Sequence, residues 1–321
     1  MDNLKKIIVL GSGNSGGGGI HDYLLSRDDI ISPFNGNEFR LVNDPDGLND
    51  LYISLYEKFS INESALSILR FKKFIERLMS SRFNKKNNIY SKDLAKISAD
   101  FIIKIIEISY NGSPQFYFDK MNNIQKSIFY FKRFILRQQS RSIDLLNMAL
   151  PVNRNEFLKN CEIYLQNIFS TNVNLTSTNC IVINQGGNFW YPVSSTKYYG
   201  KNTYPVLVTR DPKGIFWSMK RRNSLSYPGH DIKVFVKWYR SIMEKINLNE
   251  FEKIIHIKYE NFFSNYKLEK VKLCKELGIL PETNDKFKLE STRKNLFKFK
   301  DHLQHNEIEF IDKELKEFIQ C

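Results

Sequence analysis

Cysteine is scarce in this chain. The 321 residues hold four, Cys161, Cys180, Cys274 and Cys321, and no two form a C-x-x-C pair. That spacing excludes the common zinc and dithiol motifs and fits a reduced, cytoplasmic setting with no metal required. Long apolar runs are also missing, so no integral membrane segment is expected. The residues MDNLKK lead straight into an apolar run, which leaves no room for a signal peptide. Acidic side chains are in deficit: 35 Asp and Glu stand against 48 Lys and Arg, for a net charge of +13. Such an excess favours an anionic partner, although a lysine-rich solvated surface accounts for it equally simply. No internal repeat or low-complexity tract stands out. With 42% hydrophobic and 26% charged residues, the chain has an ordinary globular balance and is long enough for a full core.

Glycine is present in one conspicuous place. Ile7, Ile8, Val9 and Leu10 read as a buried parallel strand. Gly11, Gly13, Gly16, Gly17, Gly18 and Gly19 follow, interrupted only by Ser12, Asn14 and Ser15. Ile20, Tyr23 and Leu24 then recur at helical spacing. A strand, a glycine turn and a helix N-terminus make an anion cradle, because backbone N–H groups crowd the anion and the helix dipole adds about half a positive charge. Gly11 to Gly16 satisfies G-x-G-x-x-G, a weak dinucleotide signal alone. No Lys-Ser or Lys-Thr follows, so the loop is not a Walker A motif.

Residues Asn37 to Asn43 read as a second short strand or extended segment carrying Glu38. A carboxylate there suits a general base if an acceptor hydroxyl comes within hydrogen-bond reach, whereas taken alone an exposed Glu is commoner. Asp44 to Gly47 is a turn by its residue chemistry. From about residue 47 to 170 the pattern becomes helical. Ile68, Phe71, Ile75, Leu78 and Met79 share one face, as do Leu94, Ile97, Phe101, Ile105 and Ile108. A third helix is expected over Met121–Arg137, with Ile124, Ile128, Phe131 and Ile135 as core. The basic residues between Lys120 and Arg141 read as a solvated face, or one that meets an acidic acceptor. A fourth helix opens at Asn153 with Glu156 three residues on, a capping-box-like start.

The sheet resumes with Cys180–Ile183 and Tyr204–Thr209. The second of these ends in Arg210, Asp211 and Pro212, with Ser218 on the helix that leaves it. Ligands of open α/β sheets sit at the carboxyl ends of strands, and an Arg fork beside a Ser hydroxyl suits a phosphate monoester. The glycine/serine loop after the first strand, with a distant V-x-R-D-P…S, resembles the sulfotransferases that use 3′-phosphoadenosine 5′-phosphosulfate (PAPS). The strand ending in Tyr259 and Glu260 and the late Arg293–Lys294 pair extend the resemblance, which covers the first fifty residues and those from about 180 onward.

The resemblance implies an α/β, P-loop-like three-layer fold with a mostly parallel central sheet and a large helical insertion. Residues 1–46 and 175–321 would form the nucleotide-binding core and 47–174 the insertion of a single domain. It implies that Asn14, Ser15, Gly16, Gly17 and Gly18 hold the 5′-phosphosulfate. Arg210 and Ser218, with Arg293 and Lys294, would hold the 3′-phosphate, and Glu38 would be the catalytic base. PAPS would be the donor and 3′-phosphoadenosine 5′-phosphate (PAP) the product, with a carbohydrate or small-molecule acceptor and no metal. The loop departs from the family in having Asn14 where Lys or Arg is usual and Gly17–Gly18 in place of paired Thr or Ser. Arg40 or Lys197 are candidates to supply the missing charge. Two other readings stand beside it: a nicotinamide-dependent oxidoreductase using G-x-G-x-x-G and Asp44, and a non-catalytic polyanion binder.

Overall fold

The computed structural model describes residues 4–87, 89–112, 118, 121–135, 146–175, 178–223, 226–246, 254–281 and 286–319. Lys120, Arg137, Arg141 and Cys321 lie outside the described residues. Two compact units divide the chain, Met1–Val42 with Phe169–Cys321, and Asn43–Ile168.

The first unit is mixed α/β. Its sheet has four parallel strands, β1 (Lys5–Gly11), β4 (Cys180–Asn184), β5 (Thr203–Thr209) and β6 (Ile255–Lys258), in the order β4-β1-β5-β6. The other two strands, β2 (Ile106–Gly112) and β3 (Leu146–Pro151), belong to the second unit. Ile7, Ile8, Val9 and Leu10 are fully buried, as a central strand covered on both faces requires. Ile7 and Val9 join a core with Tyr23, Leu24, Phe262, Phe263 and Leu277. Ile8 and Leu10 point the other way, toward the segment around Gly186 and Gly187. Pro205 sits inside β5 at no cost to the ladder with β6, because that pairing starts one residue later, at Val206.

The helix after β1 spans Gly17–Leu25 and buries Ile20, Tyr23 and Leu24 on the sheet. No full strand follows it. Asn35 and Gly36 have positive φ (50° and 80°) and turn the chain, so only two isolated parallel bridges form, Ile31 to Ile181 and Glu38 to Asn184. Both bridges lie on the outer edge of β4, which leaves β4 between this segment and β1. In the dinucleotide-binding order 3-2-1-4-5-6, the strand after the first helix is β1's direct neighbour. The topology therefore disfavours the nicotinamide reading.

The second unit is helical with one addition. Helix Ile61–Ser80 buries Ile68, Phe71, Phe74, Ile75 and Leu78, and Ser60 caps it by accepting the Glu63 N–H at 3.1 Å. Helix Leu94–Lys104 stops short of Ile108. From Ile106 the sequence alternates apolar and polar residues, and β2 pairs antiparallel with β3. The middle is mainly helical as expected, but the helical spacing expected to run on to Ile108 is corrected, because Ile108 lies in β2. Asn153 caps the next helix, its Oδ1 accepting the Glu156 N–H at 3.0 Å, while the Glu156 carboxylate takes the Asn153 side-chain Nδ2–H at 3.3 Å in place of the backbone N–H that a full capping box would use. Helix Asn123–Ile135 forms as expected, but Ile124, Ile128 and Phe131 are exposed rather than core.

Candidate functional site

The site is built where β1 and β5 end. Gly16 caps the helix Gly17–Leu25 with φ 90° and ψ 6°, and no side chain takes the cap position. The first N–H groups of a helix precede any carbonyl that could accept them, so those of Gly17 and Gly18 face outward with the positive end of the dipole. A Cβ on Gly16 would lie 2.2 Å from Cδ2 of Tyr259, so the ring and the left-handed backbone together require glycine there. A Cβ on Gly18 would meet nothing within 4 Å. Gly16→Ala is therefore expected to lose ~1–3 kcal/mol from backbone strain alone, and more from displacing the ring. Gly18→Ala should be neutral or gain up to ~1 kcal/mol as a helix substitution. Thermal unfolding of the two variants tests this, and equal midpoints would contradict the ring-on-loop packing.

Arg210 links the loop to the second strand end. Its Nη1 donates to the Asn14 carbonyl at 3.2 Å and to Ser218 Oγ at 3.1 Å. Ser218 in turn donates to the Gly214 carbonyl at 2.8 Å. The guanidinium lies across the first turn of helix Pro212–Arg222, and a Cβ on Gly214 would come within 2.9 Å of Arg210 Nε. Asp211 caps that helix by accepting the Lys213 N–H, and Pro212 opens it, which fixes where Arg210 leaves the strand. The Arg210 side chain is only 9% exposed. Its Nε faces Glu260 Oε1 at 3.5 Å, a charge contact too long for a good hydrogen bond, and its carbon centre sits 5.0 Å from the Tyr259 ring centroid. Nη2 has no acceptor among the described residues.

Burial pushes the Glu260 carboxyl up from its ordinary value, against the opposing pull of Arg210. Asp211 is raised by burial in the same way, with Lys213 opposing. Arg210 thus stands beside a carboxylate that is costly to ionise, whereas Lys213 is paired with Asp312 as well as Asp211 and is the less available cation of the two. Asn14 has φ 56°, and its Oδ1 is buried without a hydrogen-bond partner. Buried polar atoms are nearly always paired, so this amide is a place where a ligand would complete the count. Oδ1 is an acceptor and calls for a donor on the ligand, while the loop N–H groups and the Arg210 guanidinium are the donors that fit the anionic groups of a phosphorylated nucleotide.

A cavity of about 740 Å³ opens beside Arg210 at the ends of β5 and β6. Arg210, Lys213, Lys258, Lys300, Phe297 and Phe299 are among its lining residues. His256 also lines it, 2.9 Å from Thr209 Oγ1, and burial with Lys258 nearby holds its imidazole below the usual range.

The residues expected from the sequence are not all in one place. Asn14, Ser15, Gly16, Gly17, Gly18, Arg210 and Ser218 converge. Glu38 is exposed and bridges Asn184 at the end of β4, on the same edge of the sheet. Asn184 pairs with Val9, so two strand spacings put Glu38 about 10 Å along the sheet from β1. Arg293 instead donates to the Phe263 and Ser264 carbonyls at 3.0 and 3.2 Å, at the far end of the short helix Tyr259–Ser264. Lys294 is exposed beside it. Lys197 lies 5.3 Å from the Tyr198 ring centroid, and Arg40 is exposed.

Three residues that the sequence reading left without a role line the loop. Gln185 Oε1 accepts the Gly11 N–H at 3.3 Å, Tyr259 packs on Gly16 and Glu260 faces Arg210. Their shared signal is position, since each lies within two residues of the end of a parallel strand of the sheet. Among the described residues, no group of three or more His, Cys, Asp or Glu is placed to hold a metal ion, and no helix is long and apolar enough to cross a membrane.

No family model matches the chain, and no curated protein matches it. Among solved structures, the sulfotransferase domain of the Synechococcus PCC 7002 olefin synthase aligns over 98% of this chain and 95% of its own, at 12% identity and a TM-score of 0.42. The sulfotransferase domain from the curacin biosynthetic pathway aligns over 98% of both, at 13% identity and a TM-score of 0.42. Likeness at that level decides nothing by itself, and the functional reading rests on the convergence at Arg210.

Proposed function

We propose that the chain is a PAPS-dependent sulfotransferase that moves a sulfuryl group to a hydroxyl or amine of an acceptor, with a carbohydrate or glycan precursor as the favoured acceptor class. One observation supports it above the rest: the Arg210 guanidinium touches both the glycine loop, through Asn14, and Ser218. A nucleotide with charged groups at two ends needs such a pair of neighbouring anion sites.

In this reading the N–H groups of Gly16, Gly17 and Gly18 hold the 5′ arm. Arg210 and Ser218 hold the 3′-phosphate, and the adjoining cavity takes the nucleoside end. Arg293 and Lys294 remain assigned by resemblance, with Arg293 securing the end of the Tyr259–Ser264 helix. Glu38 accepts the proton of the acceptor hydroxyl as its oxygen bonds to sulfur. The bond from sulfur to the 5′-phosphate oxygen breaks, and the electron pair leaves on PAP. Such loose, in-line transfers gain most from positioning and from stabilising charge on the leaving oxygen, the role of the loop N–H groups in this reading. The favoured acceptor class follows from Glu38 occupying the position of the catalytic Glu in glycan-type members of the resembled family.

Ligand-dependent thermal unfolding tests the nucleotide assignment. PAP is expected to raise the midpoint in a concentration-dependent way, and NAD and NADP are not. A shift with NAD and none with PAP would reverse the assignment. A non-catalytic polyanion binder would ignore PAP and lose its ligand steeply with salt. Transfer of label from PAPS to fractionated extracts then identifies the acceptor.

A further inference from the structure

Gln185 has a carboxamide of which only one half is used. The residue follows β4 directly, and its backbone N–H donates to the Val9 carbonyl at 2.8 Å. Its φ of 55° is left-handed, a conformation that costs any residue with a Cβ and that collects at functional sites. Oε1 accepts the Gly11 N–H at 3.3 Å. That partner can only donate, so the oxygen faces it and the amide nitrogen takes the other side. Nε2 lies 3.7 Å from where a Cβ on Gly17 would stand, beside the first turn of helix Gly17–Leu25. Its two N–H groups have no acceptor among the described residues.

Position says what those donors meet. Glu38 bridges Asn184 on the outer edge of β4, and Asn184 pairs with Val9 on the inner edge. Gln185, the next residue, therefore stands between the Glu38 segment and the glycine loop, one strand spacing of about 5 Å from each. In a transfer with Glu38 as base, sulfur passes from the leaving oxygen at the loop to an acceptor oxygen beside Glu38, across that gap. The non-bridging oxygens of the sulfuryl group stay electron-rich throughout and need donors there. Arg210 ends β5, on the opposite side of β1 from β4, so it approaches from the other flank.

We infer that Gln185 is a further catalytic residue, whose Nε2–H groups hold the non-bridging sulfuryl oxygens in the bound donor and during transfer. The inference rests on the sulfotransferase reading. The amide keeps its own protons, and the acceptor proton still goes to Glu38.

Three substitutions separate the two halves of the carboxamide. Gln185→Lys can donate and not accept, Gln185→Glu can accept and not donate, and Gln185→Met does neither. Isothermal titration with PAPS, and with PAP, which lacks the sulfuryl group, needs no acceptor. Gln185→Met is expected to weaken PAPS binding roughly tenfold or more and PAP binding far less, as for loss of a hydrogen bond to a charged group. Gln185→Lys should keep most of the parent's ratio of PAPS to PAP affinity, and Gln185→Glu should lower it at least as far as Gln185→Met. If Gln185 serves only to hold the Gly11 N–H, the ranking reverses, with Gln185→Glu nearest the parent and Gln185→Lys no better than Gln185→Met. That reversed ranking, or an unchanged ratio in Gln185→Met, overturns this inference alone when the parent binds both ligands. A parent that binds neither overturns the sulfotransferase reading and this inference with it.

Discussion

Replacing Arg210 with alanine is expected to weaken PAP binding by ~2–5 kcal/mol and to abolish discrimination between PAP and its analogue lacking the 3′-phosphate. The side chain is nearly buried and supplies the cation between Asn14, Ser218 and Glu260. Removing it also strands the Glu260 carboxylate, a loss of about 3–5 kcal/mol for a broken buried pair. The two effects separate by experiment. Adding Glu260→Gln to Arg210→Ala should restore much of the stability and none of the 3′-phosphate discrimination. Isothermal titration with both ligands, beside unfolding curves for both variants, makes the comparison, and persistent discrimination in Arg210→Ala would remove Arg210 from the nucleotide site.

The pH dependence of that variant has a definite sign. Burial raises the folded-state pKa of Glu260 above its unfolded value. The folded protein therefore holds this proton more tightly, so the group's stabilising contribution is full below the unfolded pKa and is lost as pH rises through the folded one. Without Arg210 the folded value rises further. The stability deficit of Arg210→Ala relative to the parent should be small in acid and grow toward neutral pH.

Turnover of the Glu38→Gln variant is expected to fall by ~10²–10⁴-fold, the range for a general base, with PAP affinity nearly unchanged. Glutamine keeps the size and loses the proton acceptor. The bridge to Asn184 is made by backbone, so the substitution leaves the placement of the segment intact. Steady-state kinetics with PAPS and an identified acceptor would check this, and an unchanged kcat would take Glu38 out of the mechanism.

Much of the first unit was legible because its signals are local. The apolar run of β1, the glycines, and the Ile20, Tyr23 and Leu24 spacing each specify their own conformation within a few residues. The end of helix Tyr266–Leu277 at Gly278, with φ 60°, was readable for the same reason. The β2–β3 pair was not. Ile105 and Ile108 continue a helical spacing from Leu94, while β2's partner strand is some forty residues away, where no local pattern announces it. The exposure of Ile124, Ile128 and Phe131 was equally hidden, because periodicity shows that a face exists and never what it meets.

By itself the sequence determined that a glycine turn and a helix start follow the first strand and that Arg210 and Ser218 stand at a later strand end, since turn and helix-start chemistry are set by neighbouring residues. Only the tertiary structure decided that the two share a site. Parallel pairing of β5 with β1 carries Arg210 across nearly two hundred residues of chain to the Asn14 carbonyl, and the same sheet brings Tyr259 over Gly16 and Glu260 against the guanidinium. Strand order is a long-range choice made by burial of both sheet faces, and no spacing within any one segment encodes it.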